Sequence, residues 1–219
     1  MAKSAIVLGA TGFTGNILLK MLLDDERYSQ VIIFGRNSCG VKHPKLVEYI
    51  IDLFELEHYA SKFKADEVHC CIGTTKSKTS NKEIYVKIDY GIPVAAAKLC
   101  KTNGIKTFSV ISALGAKSKS KIFYNRIKGK MEAAVLEEHI PNTYILQPSL
   151  ITGKREEFRL GESVLNFIMT VFRPVLRFGE LKRYQPIHPE TIAKCMIWLA
   201  NNAYSSGRVK SKKIHELGE

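Results

Sequence analysis

A phenol and an ammonium group stand four residues apart in Tyr124-Asn125-Arg126-Ile127-Lys128 of this 219-residue chain, which equips the segment for proton transfer. On a helix that spacing puts both side chains on one face. A phenol has an ordinary pKa near 10 and is a poor base at neutral pH, but an adjacent ammonium favours the phenolate and brings it toward the useful range. Far upstream, Gly9-Ala10-Thr11-Gly12-Phe13-Thr14-Gly15 follows the apolar run Ala5-Ile6-Val7-Leu8 and precedes Ile17-Leu18-Leu19 and Met21-Leu22-Leu23. Strand, glycine turn and helix in that order are the setting in which glycines hold a dinucleotide pyrophosphate. Gly9 permits the turn, Gly12 lets backbone approach phosphate without a Cβ in the way, and Gly15 lets the helix pack close to the sheet. The N–H groups of the helix's first turn then face the anion, so Thr11, Phe13 and Thr14 belong to the same cradle. The two strings together point to a nicotinamide-dependent reductase or a close relative.

These groups need a scaffold, and the pattern supplies one. Strand-like runs at 5–8, 31–34, 46–51, 67–72, 107–111 and 143–147, with a late one near 212–216, alternate with helical segments at 16–24, 53–62, 84–103, 122–138 and 190–201. Strands separated by helices imply right-handed crossovers and a doubly wound parallel α/β sheet of about six or seven strands, covered by helices on both faces. The expected order is 3-2-1-4-5-6, with the ligand at the carboxyl ends of the strands.

Composition sets the bounds. With 45% hydrophobic and 25% charged residues, the chain suits one sizeable core and is short for two domains, so residues 1–219 are expected to form a single domain. No apolar stretch approaches the roughly 20 residues that span a bilayer, and residues 4–8 are too short for a secretory h-region; a cytoplasmic location and no membrane partner are expected. The five cysteines are odd in number and lack C-x-x-C spacing, which argues against a disulfide framework or a metal site. The net charge of +12 is spread along the chain, and the basic runs 117–130 and 208–213 lack interleaved aromatics for stacking bases. A basic surface that attracts an anionic cofactor or substrate is the simpler account, and nucleic acid is not an expected partner.

The glycine loop, Phe34-Gly35-Arg36, Cys70-Cys71-Ile72-Gly73-Thr74-Thr75, Ser112 with Gly115-Ala116, Tyr124-x-x-x-Lys128 and the ending Ile214-His215-Glu216-Leu217-Gly218 together resemble the atypical branch of the short-chain dehydrogenase/reductase superfamily. Nearer still, they are similar to the Tat-interacting-protein oxidoreductase-like family over essentially the full chain. The resemblance implies a one-domain Rossmann fold and NADPH as ligand. It also implies that Lys128 bonds the nicotinamide ribose, Ser112 holds the substrate carbonyl, and Tyr124 protonates its oxygen as hydride arrives. Asp52, with Leu53 beside it, resembles the acid that bonds adenine; Asp52 also reads as a helix N-cap, and the two roles are compatible.

Cofactor choice can be argued from residues. NAD-preferring domains end their second strand with Asp or Glu, which accepts from the ribose 2′-hydroxyl, whereas here the position is Arg36. A guanidinium can fork onto a 2′-phosphate, so NADP(H) is expected ahead of NAD(H). Gly73, Thr74 and Thr75 close the fourth strand, where a small residue lets backbone approach the cofactor ribose. Pro148-Ser149, after the sixth strand, resembles the segment that closes over the nicotinamide and also reads as a plain strand-to-loop transition. Residues 154–185, with Arg155, Arg159, Phe167, Phe172, Arg173, Phe178 and Tyr184, read either as a substrate cap for an acidic or polar compound or as a packed surface helix. His188-Pro189-Glu190 reads as a helix start.

The leading expectation is an NADP(H)-dependent oxidoreductase acting on a small carbonyl or hydroxyl compound, as a monomer or homodimer. An NADP(H)-binding redox sensor with a protein partner stays open. So does epimerase-type chemistry, for which 219 residues leave little room for a larger substrate domain.

Overall fold

The computed structural model describes residues 2–75, 77–152 and 185–219. Strand β1 (Lys3–Leu8) leads through the glycine turn into α1 (Phe13–Asp24), followed by β2 (Tyr28–Gly35), β3 (Leu46–Ile50) and a 3-10 helix (Leu53–Tyr59). Then come β4 (Glu67–Cys70), α2 (Lys82–Val86), a π-helical turn (Lys87–Gly91), α3 (Ile92–Thr102), β5 (Thr107–Ile111), α4 (Phe123–Glu137) and β6 (Asn142–Gln147). Helix α5 (Pro189–Asn201), β7 (Gly207–Lys210) and α6 (Ser211–Gly218) complete the described residues.

Among the described residues the sheet has seven strands in the order β3-β2-β1-β4-β5-β6-β7, parallel throughout. Alternation along each strand feeds two cores. From β1, Ile6 and Leu8 pack with Ala96 and Ala97 of α3 and Met131 and Val135 of α4. Ala5 and Val7 face the other way, toward Leu18 and Leu22 of α1 and Ile192 and Met196 of α5. The order reverses at β1 and β4, and this switch point opens the crevice at the carboxyl ends of the strands.

Three expectations need correction. The stretch expected as a late strand, 212–216, lies in helix α6; its buried residues Ser211, Ile214, His215 and Gly218 recur with helical rather than alternating spacing, and the strand is Gly207–Lys210 just before it. The helix expected over 84–103 is interrupted by the π-helical turn Lys87–Gly91. The one expected over 53–62 is a 3-10 helix kinked at Glu55, with Asp52 capping it by accepting from the Phe54 N–H. The start at His188-Pro189-Glu190 is found, although the His188 side chain makes no capping bond.

Beneath α5, near the amino ends of the strands, runs a buried polar strip. Glu67 Oε1 accepts from Tyr28 Oη at 2.7 Å and lies 2.9 Å from His69 Nε2, while His69 Nδ1 lies 2.7 Å from Ser109 Oγ. Asn201 donates to Tyr28 Oη at 2.7 Å, and Lys3 Nζ reaches both Glu67 Oε2 (3.2 Å) and the Ala200 carbonyl (2.6 Å). Burial alone would raise the Glu67 carboxyl, but His69, Tyr28 and Lys3 outweigh it and hold the group below its ordinary value. The strip fixes the end of α5 against β1, β2 and β4. Tyr28→Phe leaves Glu67 and Asn201 each one partner short, which costs about 1–3 kcal/mol. Thermal melts should fall by about 2–12 °C in a domain of this size. Because the folded carboxyl is depressed, its stabilisation is present above the unfolded value near 4.3 and is lost as pH falls through the folded one. Glu67→Gln should therefore lack that part of the acid-side loss.

Candidate active site

The cradle is built from contacts that exclude side chains. Gly9 follows β1 with φ +84°, and a Cβ on Gly15 would lie 2.1 Å from the Gly9 carbonyl oxygen, so α1 starts directly against the turn. Gly12 is the N-cap of α1, which has no side-chain capping bond, and a Cβ there would meet only Gly9 O, at 3.1 Å. Thr14 and Gly15 are buried within α1, while Gly9, Thr11 and Gly12 line a cavity of about 630 Å³. Arg36 and Asn37 bound it after β2, Asp52, Leu53 and Phe54 after β3, and Gly73 and Thr74 after β4. The cavity's place at the strand ends, its glycine wall and its cationic corner at Arg36 fit a dinucleotide. Thr75 faces solvent, bonded through its hydroxyl to Ser77 at 2.8 Å.

At the other end, Lys128 of α4 is buried with Nζ 2.9 Å from Asp89 Oδ1, and it donates to the Ile111 carbonyl at 3.3 Å. Asp89 Oδ2 accepts from the Thr74 N–H at 2.8 Å. A Cβ on Gly73 would stand 3.5 Å from Asp89 Oδ1 and 3.6 Å from Lys128 Nζ, so the ion pair lies directly behind that glycine. Tyr85 Oη donates to the Thr74 carbonyl at 3.2 Å, and the Tyr85 ring meets Phe123 edge-on at 5.4 Å. Tyr124 follows, 40% exposed as a residue.

Electrostatics here differ from the sequence expectation. Burial pulls the Lys128 ammonium down, but the charge and bond of Asp89, together with Tyr124, more than restore it, so it stays above the ordinary lysine value. Loss of water around the Tyr124 hydroxyl raises the phenol, Lys128 lowers it and Asp89 raises it again, and the net direction is up. An ammonium already matched by a carboxylate has little field left to spend on a neighbouring phenol.

Ser112 is not presented to the cavity. It is buried, and its hydroxyl donates to Glu132 Oε1 at 2.5 Å; Glu132 also accepts from Gln147 Nε2 at 2.8 Å and Arg208 Nε at 2.6 Å. The expectation that Ser112 holds a substrate carbonyl is corrected accordingly, since the hydroxyl is committed inside the fold. Pro148 is buried at the end of β6, its carbonyl accepting from the Leu114 N–H at 2.8 Å. The cap expected over 154–185 lies outside the described residues, apart from Gln185. Asp89 was not anticipated from the sequence. A signal was available: Tyr85, Asp89, Ile92 and Ala96 share helical spacing, and an acid on an otherwise buried stripe demands a partner.

Comparison with known proteins adds four findings. Residues 9–161 match the family described as NAD(P)H-binding. The protein HTATIP2 of Rattus norvegicus is 32% identical over 164 residues, covering 73% of this chain and 67% of that protein. The protein FMP52, mitochondrial, of Meyerozyma guilliermondii is 32% identical over 202 residues, covering 90% of this chain and 84% of that protein. Among solved structures, MoeE5 in complex with UDP-glucose and NAD aligns with a TM-score of 0.68 at 16% identity, over 98% of this chain and 80% of that one; the likeness is one of fold. Gly12→Val puts a branched side chain on the cavity wall. Titration with NADPH and with NADH should show binding of both abolished, with the circular dichroism spectrum kept; wild-type affinity in the variant would remove the loop from the site.

Proposed function

Because the chain belongs to the NAD(P)H-binding family, we propose that it is an NADP(H)-dependent oxidoreductase of a small carbonyl or hydroxyl compound, with Tyr124 as its proton donor. The observation that carries this reading is that Gly73, on the wall of the glycine-lined cavity, backs directly onto Lys128 of α4, the helix that also carries Tyr124. When bound, the nicotinamide cofactor supplies or accepts a hydride. Gly9, Thr11 and Gly12, with Phe13, Thr14 and Gly15 behind them, would hold its pyrophosphate at the start of α1. Asp52 and Leu53 would flank the adenine, and Gly73, Thr74, Thr75 and Pro148 the nicotinamide half. Lys128 would bond the ribose.

Arg36 supports NADP(H) over NAD(H), since it stands where an acid would otherwise accept from the 2′-hydroxyl. Tyr124, protonated at neutral pH, can give a proton to a carbonyl oxygen.

The cytoplasmic expectation is withdrawn. FMP52 proteins of Scheffersomyces stipitis, Debaryomyces hansenii and Candida albicans, like that of Meyerozyma guilliermondii, are named mitochondrial, which points to mitochondria instead. Lack of a secretory h-region speaks only to secretion. Among the described residues no helix is long and apolar enough to cross a membrane.

Arg36→Ala removes a charged hydrogen bond of about 1.5–3 kcal/mol, so NADPH should bind about 10 to 150-fold more weakly while NADH changes little. Equal weakening of both, or of neither, contradicts the phosphate assignment. In a screen of carbonyl compounds followed by NADPH absorbance, Tyr124→Phe should lower turnover by about 10² to 10⁴ at unchanged NADPH affinity. Wild-type activity should stay level from pH 6 to 9, because a raised phenol loses its proton only above about 10. A broad screen without Tyr124-dependent hydride transfer would overturn the enzymatic reading.

A further inference from the structure

Asp89 is a wholly buried carboxylate within the π-helical turn Lys87–Gly91 that separates α2 from α3. Such a turn interrupts the regular helix repeat, and π-bulges occur often at functional sites. A bare carboxylate in this position is costly, and Asp89 has two partners: the Thr74 N–H at 2.8 Å and the Lys128 ammonium at 2.9 Å. Lys128 depends equally on Asp89. Its side chain is 4% exposed, and beyond the ion pair with Asp89 it donates to the neutral Ile111 carbonyl. Among the described residues, the other titratable groups that bear on the pair are Cys70 at the end of β4, Tyr85 on α2 and Tyr124 on α4. None supplies a negative charge at neutral pH: burial pushes the Cys70 thiol up to about 11 and raises both phenols. Among the described residues, Asp89 is therefore the group that balances the buried ammonium.

We propose that Asp89 is a positioning residue that keeps Lys128 charged and fixed behind Gly73, ready for the cofactor ribose, and ties it to the backbone of Thr74 at the end of β4. This rests on the reading of Lys128 as a ribose ligand. The carboxylate does two separable jobs, one through its charge and one through its bond to Thr74. Asn can still accept from the Thr74 N–H but brings no charge. An ammonium left without its counter-charge in so dry a place sheds its proton far more readily.

The test follows Lys128 directly in the cofactor-free protein by NMR of lysines labelled with ¹³C at Cε, its signal assigned through its loss in Lys128→Met. In the wild type Lys128 should titrate above the exposed lysines; in Asp89→Asn it should titrate lower by about 2 pH units or more. NADPH affinity, read by fluorescence, should be level from pH 7 to 9.5 in the wild type and fall about tenfold or more across that range in Asp89→Asn. In Lys128→Met it should be weak and level. An Lys128 signal that Asp89→Asn leaves in place overturns the proposal, whatever NADPH binding does. A shifted signal with level NADPH affinity overturns the ribose role of Lys128, and with it the positioning role. Should Asp89→Asn not fold, the wild-type titration decides, because an Lys128 that titrates with or below the exposed lysines is not held charged by Asp89.

Discussion

The Lys128 ammonium keeps its charge in a nearly dry site while Asp89 faces it at 2.9 Å, and three elements are shaped around that pairing. The helix after β4 admits a π-helical turn where Asp89 lies. Helix α4 carries Lys128 on its buried face beside Ile127, Met131 and Val135, so the long stem packs as an apolar residue would. The end of β4 gives up side-chain bulk at Gly73, which puts the pair immediately behind the cavity wall. A buried pair of this kind is weak support for stability, because desolvation of two charges offsets most of their attraction. Its worth lies in holding a charged donor at the edge of a cavity.

The sheet carries a second set of buried polar groups, and the contrast is instructive. Ser109, His69 and Glu67 form a hydroxyl, imidazole and carboxylate sequence with contacts of 2.7 and 2.9 Å, an order used elsewhere for nucleophilic catalysis. All three are essentially without solvent exposure, and Tyr28 and Lys3 use what remains of the carboxylate's bonding capacity. No substrate could reach that serine, so the strip serves packing and register. The arrangement at Lys128 differs in one respect that matters: buried as it is, it lies directly behind Gly73, which lines the cavity.

Much of this was legible in the sequence because the reasons were local. The glycine loop, its turn at Gly9 and the tight start of α1 follow from the absence of a Cβ at fixed spacing, and strand order follows from alternation of strands and helices. Asp52 before Leu53 reads as a cap and is one. What misled were features set by distant partners. Ser112 at a strand end looks the same whether it faces a ligand or, as here, Glu132 twenty residues on. Asp89 becomes informative only once the π-helical turn is seen to lie on the same core as α4. The run 212–216 is short and apolar at Ile214 alone, too little to separate strand from helix by period.

On the proposed reading, one bound cofactor spans from a phosphate-binding corner at Arg36 to the end of the site where Lys128 and Tyr124 stand. A crystal structure of the protein with NADPH bound tests it most directly. The 2′-phosphate should lie within hydrogen-bond distance of the Arg36 guanidinium, the pyrophosphate on the N-terminus of α1, and a nicotinamide-ribose hydroxyl within hydrogen-bond distance of Lys128 Nζ. Cofactor bound with its 2′-phosphate away from Arg36, or with its nicotinamide ribose out of reach of Lys128, would contradict it.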